Sequence, residues 1–282
     1  LDVFLVHFAD RDPRVRKKAV QQLDAARGAE VVTALVRALG DADDGVRKAA
    51  REILVRGGRT PREIEVLAEA RERHRDARVR ADVVLALRAA GPEAGAALAA
   101  ALRDRDESVR AAAAGGVGDL RDEAWSPALH EALRDRAPRV RAEAVDAVGR
   151  VLRARAAGTA AAVLRGDSDT LPRVAAALVL AAYPVPESVE HLAVGLRTPS
   201  WTLRTACARG LGAQAGDVAA ARAAAAALVP AIVREERVRV REELATALFR
   251  LTGIDFGPAP DRWRAWFDEA GETFLPPARE PR

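Results

Sequence analysis

The sequence predicts an all-α chain: a right-handed α-solenoid of about eight stacked two-helix units with a C-terminal aromatic cap helix. Three observations predict it. A block Asp-x-x-Val-Arg-x-x-(small) recurs about every thirty residues, as Asp12-Val15-Arg16-Ala19, Asp43-Val46-Arg47-Ala50, Asp76-Val79-Arg80-Val83 and Asp106-Val109-Arg110-Ala113. Degraded copies follow at Val140-Arg141-Ala144, Val174-Leu178, Leu203-Arg204-Cys207 and Val240-Arg241-Leu244. Between blocks lies a second apolar-periodic stretch, such as Val31-Val32-Leu35-Leu39 or Leu228-Ile232, so each unit reads as a helix A followed by a helix B. No alternating strand pattern appears, and alanine, leucine and arginine are strong helix formers. Repetition at this period means units that bury their apolar sides against their neighbours rather than around one centre.

The punctuation supports each element in turn. Asp12, Asp43, Asp76 and Asp106 stand where B-helix N-caps or first-turn acids belong. Pro13, Pro138 and Pro172 fall at first B-helix turns, and Pro61, Pro92 and Pro186 open A helices. Gly57, Gly58, Gly91, Gly158 and Gly212 are placed near B-helix ends. From Leu251 the pattern changes. Gly253, Gly257, Pro258 and Pro260 break the helix, and Asp261 then caps a segment carrying Trp263, Trp266 and Phe267. The expected organisation is a solenoid over 1–252, a cap over 253–275 that covers the last apolar face, and a disordered tail over 276–282.

Composition bounds the function. The chain has 282 residues, 49% hydrophobic but only 4% aromatic, and a net charge of +4. Residues 1–90 carry 19 basic against 15 acidic groups and the remainder 26 against 26, so the whole excess lies in the first units. The single cysteine, Cys207, excludes an internal disulfide and a zinc-finger spacing. No run of 18 apolar residues predicts a membrane span. The chain starts at Leu1 and has no methionine, which fits a removed N-terminal targeting piece; the compartment is not determined, with the cytoplasm slightly favoured.

Paired helices with Asp-x-x-Val-Arg at the start of the second resemble HEAT repeats. The short period is similar to the bacterial variety called phycobilisome-lyase HEAT-like repeats, over about residues 1–252. Tetratricopeptide units need a Trp-Gly-Tyr signature that a chain with one tyrosine, Tyr183, does not carry. The ankyrin-like string Ser126-Pro127-Ala128-Leu129-His130-Glu131-Ala132 occurs once and is one residue too long. In HEAT repeats the arginine after the anchor belongs to a structural ladder. The resemblance therefore implies that Arg16, Arg47, Arg80, Arg110, Arg141, Arg204 and Arg241 pair with the capping acids Asp12, Asp43, Asp76 and Asp106 of their own or neighbouring units. The sixth unit, read on Val174, has Leu171 and Ala175 in place of both partners, which predicts a weaker joint there.

With positions 0, +4 and +8 from the anchor buried, positions +2, +3 and +6 face outward, on the side that is concave in HEAT-like solenoids. That face reads Lys17, Lys18, Gln21, Lys48, Glu52, Ala81, Asp82 and Leu85, then Ala111, Ala112, Gly115, Ala142, Glu143 and Asp146. It continues with Ala176, Ala177, Leu180, Thr205, Arg209, Glu242, Glu243 and Thr246. It is basic at one end, small in the middle and partly acidic beyond. A nucleic-acid backbone binder needs clustered basic groups and stacking aromatics along one face, and here only Lys17, Lys18 and Lys48 cluster, which argues against it.

Catalytic readings find little support. Deoxyhypusine hydroxylases resemble this architecture and use repeated His-Glu pairs for iron, but this chain has one pair, His130-Glu131. Cys207 occupies a position filled by alanine in other units and reads as a buried space-filler rather than a bilin-handling thiol. Trp201 replaces a first-turn proline, and if exposed there it is a protein-contact anchor. No phosphate-loop, Gly-x-Ser-x-Gly or His-Glu-x-x-His string occurs. The sequence thus points to a non-catalytic scaffold for a protein or peptide, without cofactor or metal. The alternatives are an accessory to a modifying enzyme of the lyase type, or a weak nucleic-acid binder at the N-terminal units.

Overall fold

The computed structural model describes residues 6–56 and 59–277. The expected helix-end glycines Gly57 and Gly58 and most of the expected tail lie outside them. The chain divides into two compact units, Leu1–Ala147 and Val148–Arg282. The first opens with a 3-10 turn, Val6–Ala9, followed by α1 (Pro13–Gln22), α2 (Ala29–Leu39), α3 (Asp44–Leu54), α4 (Pro61–Arg73), α5 (Ala77–Ala90), α6 (Gly95–Ala101), α7 (Glu107–Leu120) and α8 (Ser126–Ala132). Helix α9 (Pro138–Leu152) starts in the first unit and ends in the second. The second unit continues with α10 (Ala157–Gly166), α11 (Thr170–Ala182), α12 (Ser188–Gly195), α13 (Trp201–Gly212), α14 (Val218–Arg234), α15 (Val238–Thr252) and α16 (Pro260–Ala270). No strand occurs among the described residues.

Odd-numbered helices are the B helices and even-numbered ones the A helices. Within each unit they form two layers, B on B (α1, α3, α5, α7; α11, α13, α15) and A on A (α2, α4, α6; α10, α12, α14). The A helices α2, α4, α6, α10, α12 and α14 also pack on the B helix that follows each of them. The layers close because one stripe of every helix is apolar: Val46, Ala50 and Leu54 on α3 and Val109, Ala113 and Val117 on α7 are all buried. Local signals set the ends. The side chains of Asp12, Asp43, Asp76 and Asp106 each accept a backbone N–H at the start of α1, α3, α5 and α7. Thr60 and Glu63 form a reciprocal capping box on α4, with Pro61 at its first position. Gly91 ends α5 at φ +84°, a conformation that favours glycine.

Some boundaries differ from the sequence reading. Gly158 lies in the first turn of α10, not at a B-helix end, and Asp261 sits inside the first turn of α16, whose N-cap is Ala259. The larger correction concerns the sixth block. In α11 the buried residues are Pro172, Ala176, Ala177, Val179 and Leu180, while Val174 is only half-buried and Leu178 is exposed. The anchor is therefore Pro172, two residues before the valine that the spacing suggests. Arg173 then occupies the ladder position and Asp167-Ser168-Asp169 the preceding loop. The expected weak joint, read from Leu171 and Ala175, rested on the wrong register. Proline serves as anchor because the first turn of a helix needs no N–H from it.

At two joints the close approach of B helices depends on glycine at position +9. A Cβ on Gly149 would lie 2.8 Å from the Val179 methyls, and one on Gly212 would lie 2.8 Å from the Ala247 Cα. The second obstacle is backbone, which cannot rotate away. Gly212→Ala is expected to force α13 and α15 apart and cost ~1–3 kcal/mol, to be read by chemical denaturation. The same substitution at Gly158, where open space surrounds the added carbon, is expected to be neutral or stabilising.

At the C-terminus α16 packs on α14. Trp263 is fully buried, and its indole N–H donates to the Gly257 carbonyl at 2.8 Å. Phe256, Trp266 and Phe274 surround these rings edge-on or tilted. Arg222 of α14 donates to the carbonyls of Thr273 and Phe274, holding the returning chain against the last A helix.

Candidate binding face of the B helices

The arginine after each anchor has a defined task. Its Nη1 donates back to the loop between A and B of its own repeat: Arg16 to the Asp10 carbonyl at 2.7 Å, Arg80 to His74 at 3.0 Å, Arg110 to Asp104 at 2.8 Å, Arg141 to Asp135 at 2.8 Å and Arg204 to Thr198 at 3.0 Å. Its Nε and Nη2 then grip a carboxylate of the next repeat's loop. Arg16 holds Asp41, Arg80 holds Asp104, Arg110 holds Asp135 and Arg204 holds Glu235, each through two hydrogen bonds. The acid is therefore not the capping aspartate, as the sequence suggests, but the residue two places before the cap position. That acid also receives the backbone N–H two residues on: Asp43 to Asp41 at 2.9 Å, Asp106 to Asp104 at 2.9 Å and Arg237 to Glu235 at 3.0 Å. One carboxylate thus fixes its own turn and the joint to the repeat before it.

Two rungs deviate for a visible reason. The third loop has His74 at the acid's position, and Arg47 pairs with Asp44 of its own helix instead. The seventh loop has Thr198 there, and Arg173 donates to the Leu164 carbonyl at 2.9 Å.

These carboxylates titrate abnormally. Burial pushes the Asp104 and Asp135 carboxyls up, but the bonds from Arg80 and Arg110 and from their own loops outweigh it and hold both below the ordinary range. Glu235 is lowered in the same balance by Arg204, and the bond from Arg16 lowers Asp41. A folded-state value below the unfolded one gives stability that is complete above the ordinary carboxylate range, about pH 4. That stability is lost as pH falls through the depressed folded values. The melting temperature is therefore expected to drop on the acid side of about pH 4, and to drop less steeply in Asp41→Asn, which is less stable than the wild type above that range and approaches it as pH falls. Thermal melts across that range check it.

The outward B face is more neutral than the sequence suggests. In the first unit Lys17, Lys18, Gln21, Lys48 and Glu52 are exposed. Asp82 is not outward: it is 8% exposed and bonded to Arg51 of the neighbouring B helix at 2.7 Å. Arg88 likewise pairs with Asp119 across α5 and α7. Ala111, Gly115 and Ala142 are buried, and the side chains of Arg88 and Glu143 lie over Gly115. Glu143 is half-buried and Asp146 exposed. In the second unit the two-residue shift turns Ala176, Ala177 and Leu180 inward and leaves Leu178 outward.

Between α13 and α15 the same face opens into a groove of about 440 Å³ lined by Trp201, Thr205, Arg209, Arg239, Glu242, Glu243 and Thr246. It brings together the sequence candidates Arg209, Glu242 and Glu243 with two groups that spacing did not single out for this face. Arg209 is neutralised by Glu243, bonded at 2.8 and 3.0 Å. Trp201, at the first position of α13, is 40% exposed. Arg239 is exposed and has no hydrogen bond or carboxylate partner among the described residues.

Cys207 is fully buried against Gly195, and burial pushes its thiol up to about 12, the opposite of an activated nucleophile. His130 is half-buried on α8 and bonded to the Ser126 carbonyl at 2.8 Å. Among the described residues no group of three or more His, Cys, Asp or Glu side chains is placed to hold a metal ion, and no helix is long and apolar enough to cross a membrane.

Stacked A/B helix pairs joined by a carboxylate–arginine ladder define a helical-repeat protein. The sequence of residues 1–88 and 95–162, more than half of the chain, matches HEAT repeats, and the chain belongs to that family. Among solved structures, an engineered protein is 19% identical over 96% of this chain and 82% of its own, with a TM-score of 0.50. The Escherichia coli protein YibA is 16% identical over 89% and 91%, with a TM-score of 0.56. Human deoxyhypusine hydroxylase in complex with glycerol is 23% identical over 89% and 95%, with a TM-score of 0.38. The first two are likenesses of fold. No curated protein matches the chain in sequence.

Proposed function

We propose that the protein is a binding scaffold whose B-helix face takes a protein or peptide segment in the groove between α13 and α15. The observation that carries this reading is the pairing of a half-exposed tryptophan with an unpaired guanidinium in one groove, Trp201 and Arg239. Large aromatics and arginines are the side chains that concentrate binding energy at protein contacts. The ladder arginines Arg16, Arg80, Arg110 and Arg204 are tied to carboxylates, whereas Arg239 lies untied beside an uncovered indole. The groove walls belong to stacked helices, so little ordering accompanies binding. A fitting segment presents an apolar or aromatic side chain to Trp201 and a carboxylate to Arg239, with Thr205 and Thr246 offering hydroxyls to its backbone.

Selection of random displayed peptides on the immobilised protein tests this. Peptides with an acidic residue near an aromatic one are expected, with binding lost in Trp201→Ala and in Arg239→Glu and retained in the Lys17→Glu, Lys18→Glu double variant. Peptides that bind all three proteins equally place the site elsewhere and overturn the reading. So does failure to select any. A salt-sensitive shift of nucleic acid abolished by the lysine changes would favour backbone binding at the first repeats instead.

A further inference from the structure

Along one edge of the first compact unit the loops between A and B helices carry a row of arginines, and we propose that this row holds the phosphate backbone of double-stranded nucleic acid, without regard to sequence. It is a second surface, independent of the groove at Trp201. The ladder sets the loops in line. Arg80 donates to the His74 and Arg75 carbonyls of its own loop and grips Asp104 of the next. Arg110 donates to the Asp104 carbonyl and grips Asp135. Three successive loops therefore lie side by side, and Arg105 Nη2 reaches back to the Arg75 carbonyl at 3.0 Å.

In sequence these loops look balanced, as Arg103-Asp104-Arg105-Asp106 and Arg134-Asp135-Arg136. On the surface they are not. Asp104 and Asp135 are spent on the ladder, and Asp76 and Asp106 on capping α5 and α7. Arg75, Arg105, Arg134, Arg136 and Arg139 are exposed and have no carboxylate partner among the described residues. Arg78 and Arg103 add to the row, at 3.7 Å from Asp76 and 3.2 Å from Glu131. Within residues 75–78, 103–107 and 134–139 the exposed acid is Glu107. Stability of the fold does not ask for this row. Arg103 and Arg134 follow A helices, where a cation suits the helix dipole, but Arg78 and Arg139 stand in the first turns of α5 and α9, where it does not.

The chemistry of the row selects its occupant. A protein segment needs an aromatic or apolar anchor to concentrate its binding energy, and these three segments contain no aromatic and no large apolar residue. Without aromatics, unpaired bases have nothing to stack on, which disfavours a single strand. What the row offers is charge alone. Planar guanidinium forks suit phosphate oxygens, and release of counterions from a duplex supplies affinity that needs no apolar contact. Stacked helices lie ~8–10 Å apart, so three loops span ~20 Å. That is the length of about six phosphates along one strand, close to the number of uncompensated guanidinium groups in the row.

Fluorescence anisotropy of a short labelled DNA duplex of mixed sequence, titrated with the full chain over a salt series, tests the proposal. Binding is expected with a Kd of about 1–100 µM at physiological salt. The logarithm of the affinity is expected to fall against that of salt with a slope of about −4 to −5, for about five phosphates. The triple variant Arg105→Ala, Arg136→Ala, Arg139→Ala changes exposed residues and keeps the fold by circular dichroism. It is expected to bring the slope to about −2 and to weaken binding about tenfold or more at ~50 mM salt. Trp201→Ala and the Lys17→Glu, Lys18→Glu double variant are expected to bind the duplex as the wild type does, which separates this surface from the peptide groove and from the first repeats. Duplex binding that the arginine changes leave intact overturns the proposal, as does absence of binding at low salt. So does tighter binding of the separated single strand, or of poly-glutamate of matching length, than of the duplex.

Discussion

Asp104→Ala is expected to destabilise the first unit by ~3–5 kcal/mol, the cost of stranding a buried charge. Asp104 and Arg80 have side chains only 5% and 3% exposed, the most enclosed of the ladder pairs. Removing the carboxylate leaves the Arg80 Nε and Nη2 without an acceptor in a site closed to water, and it also removes the acceptor for the Asp106 N–H that starts α7. The Asp104 carbonyl still receives Arg110, so the loop keeps one tie. The matching Arg80→Met, Asp104→Leu double variant takes both charges away and is expected to recover most of the loss. Urea denaturation of the single and double variants separates these cases. The same truncation at Asp41, whose pair is more exposed, is expected to cost less. Equal losses at Asp41 and Asp104 would mean that enclosure is not what makes the rung costly to break. Because repeats stack on neighbours alone, the loss should appear first as local opening around α5 and α7, detectable by amide exchange.

The architecture was legible because its causes are local and repeated. Anchor, capping aspartate and first-turn proline recur in the sequence, and each acts within a few residues of itself. The ladder acid was harder to see, because the capping aspartate four residues before each arginine is the natural partner by spacing. The pattern Asp10-x-Asp12, Asp41-x-Asp43, Asp104-x-Asp106 and Asp167-x-Asp169 was nonetheless present. The last of these marks Pro172 as the sixth anchor, against a valine-based reading that looks better by residue type alone. Which outward residues are free could not be read at all. Asp82 and Arg51, or Arg209 and Glu243, lie about thirty residues apart, and only the stacking of neighbouring B helices brings them into contact. Arg239 stands out for the converse reason: an arginine flanked by acids at +3 and +4 looks paired in sequence and is not.

Trp263→Ala is expected to cost ~3–5 kcal/mol, as other fully buried large-to-small changes do, and to act through the end of the molecule rather than its middle. Trp263 is the largest fully buried side chain among the described residues, and it lies on α16, outside the stacked repeats. Its ring is the centre of the aromatic group with Phe256 and Trp266, and its N–H satisfies the Gly257 carbonyl in the turn leading into α16. Truncation therefore opens a cavity and orphans a turn at once. The consequence should travel to α14, which receives α16 and whose Arg222 holds Thr273 and Phe274. Amide exchange is expected to rise across Val218–Arg234 while the first unit is unchanged. Trp266→Ala, at a half-buried ring, is expected to cost less. If instead Trp263→Ala leaves α14 protected, the aromatic helix is an appendage and the last A helix is stable without it. That outcome would locate the lid on the solenoid elsewhere, and the exposed edge of α15 would have to be stable unaided.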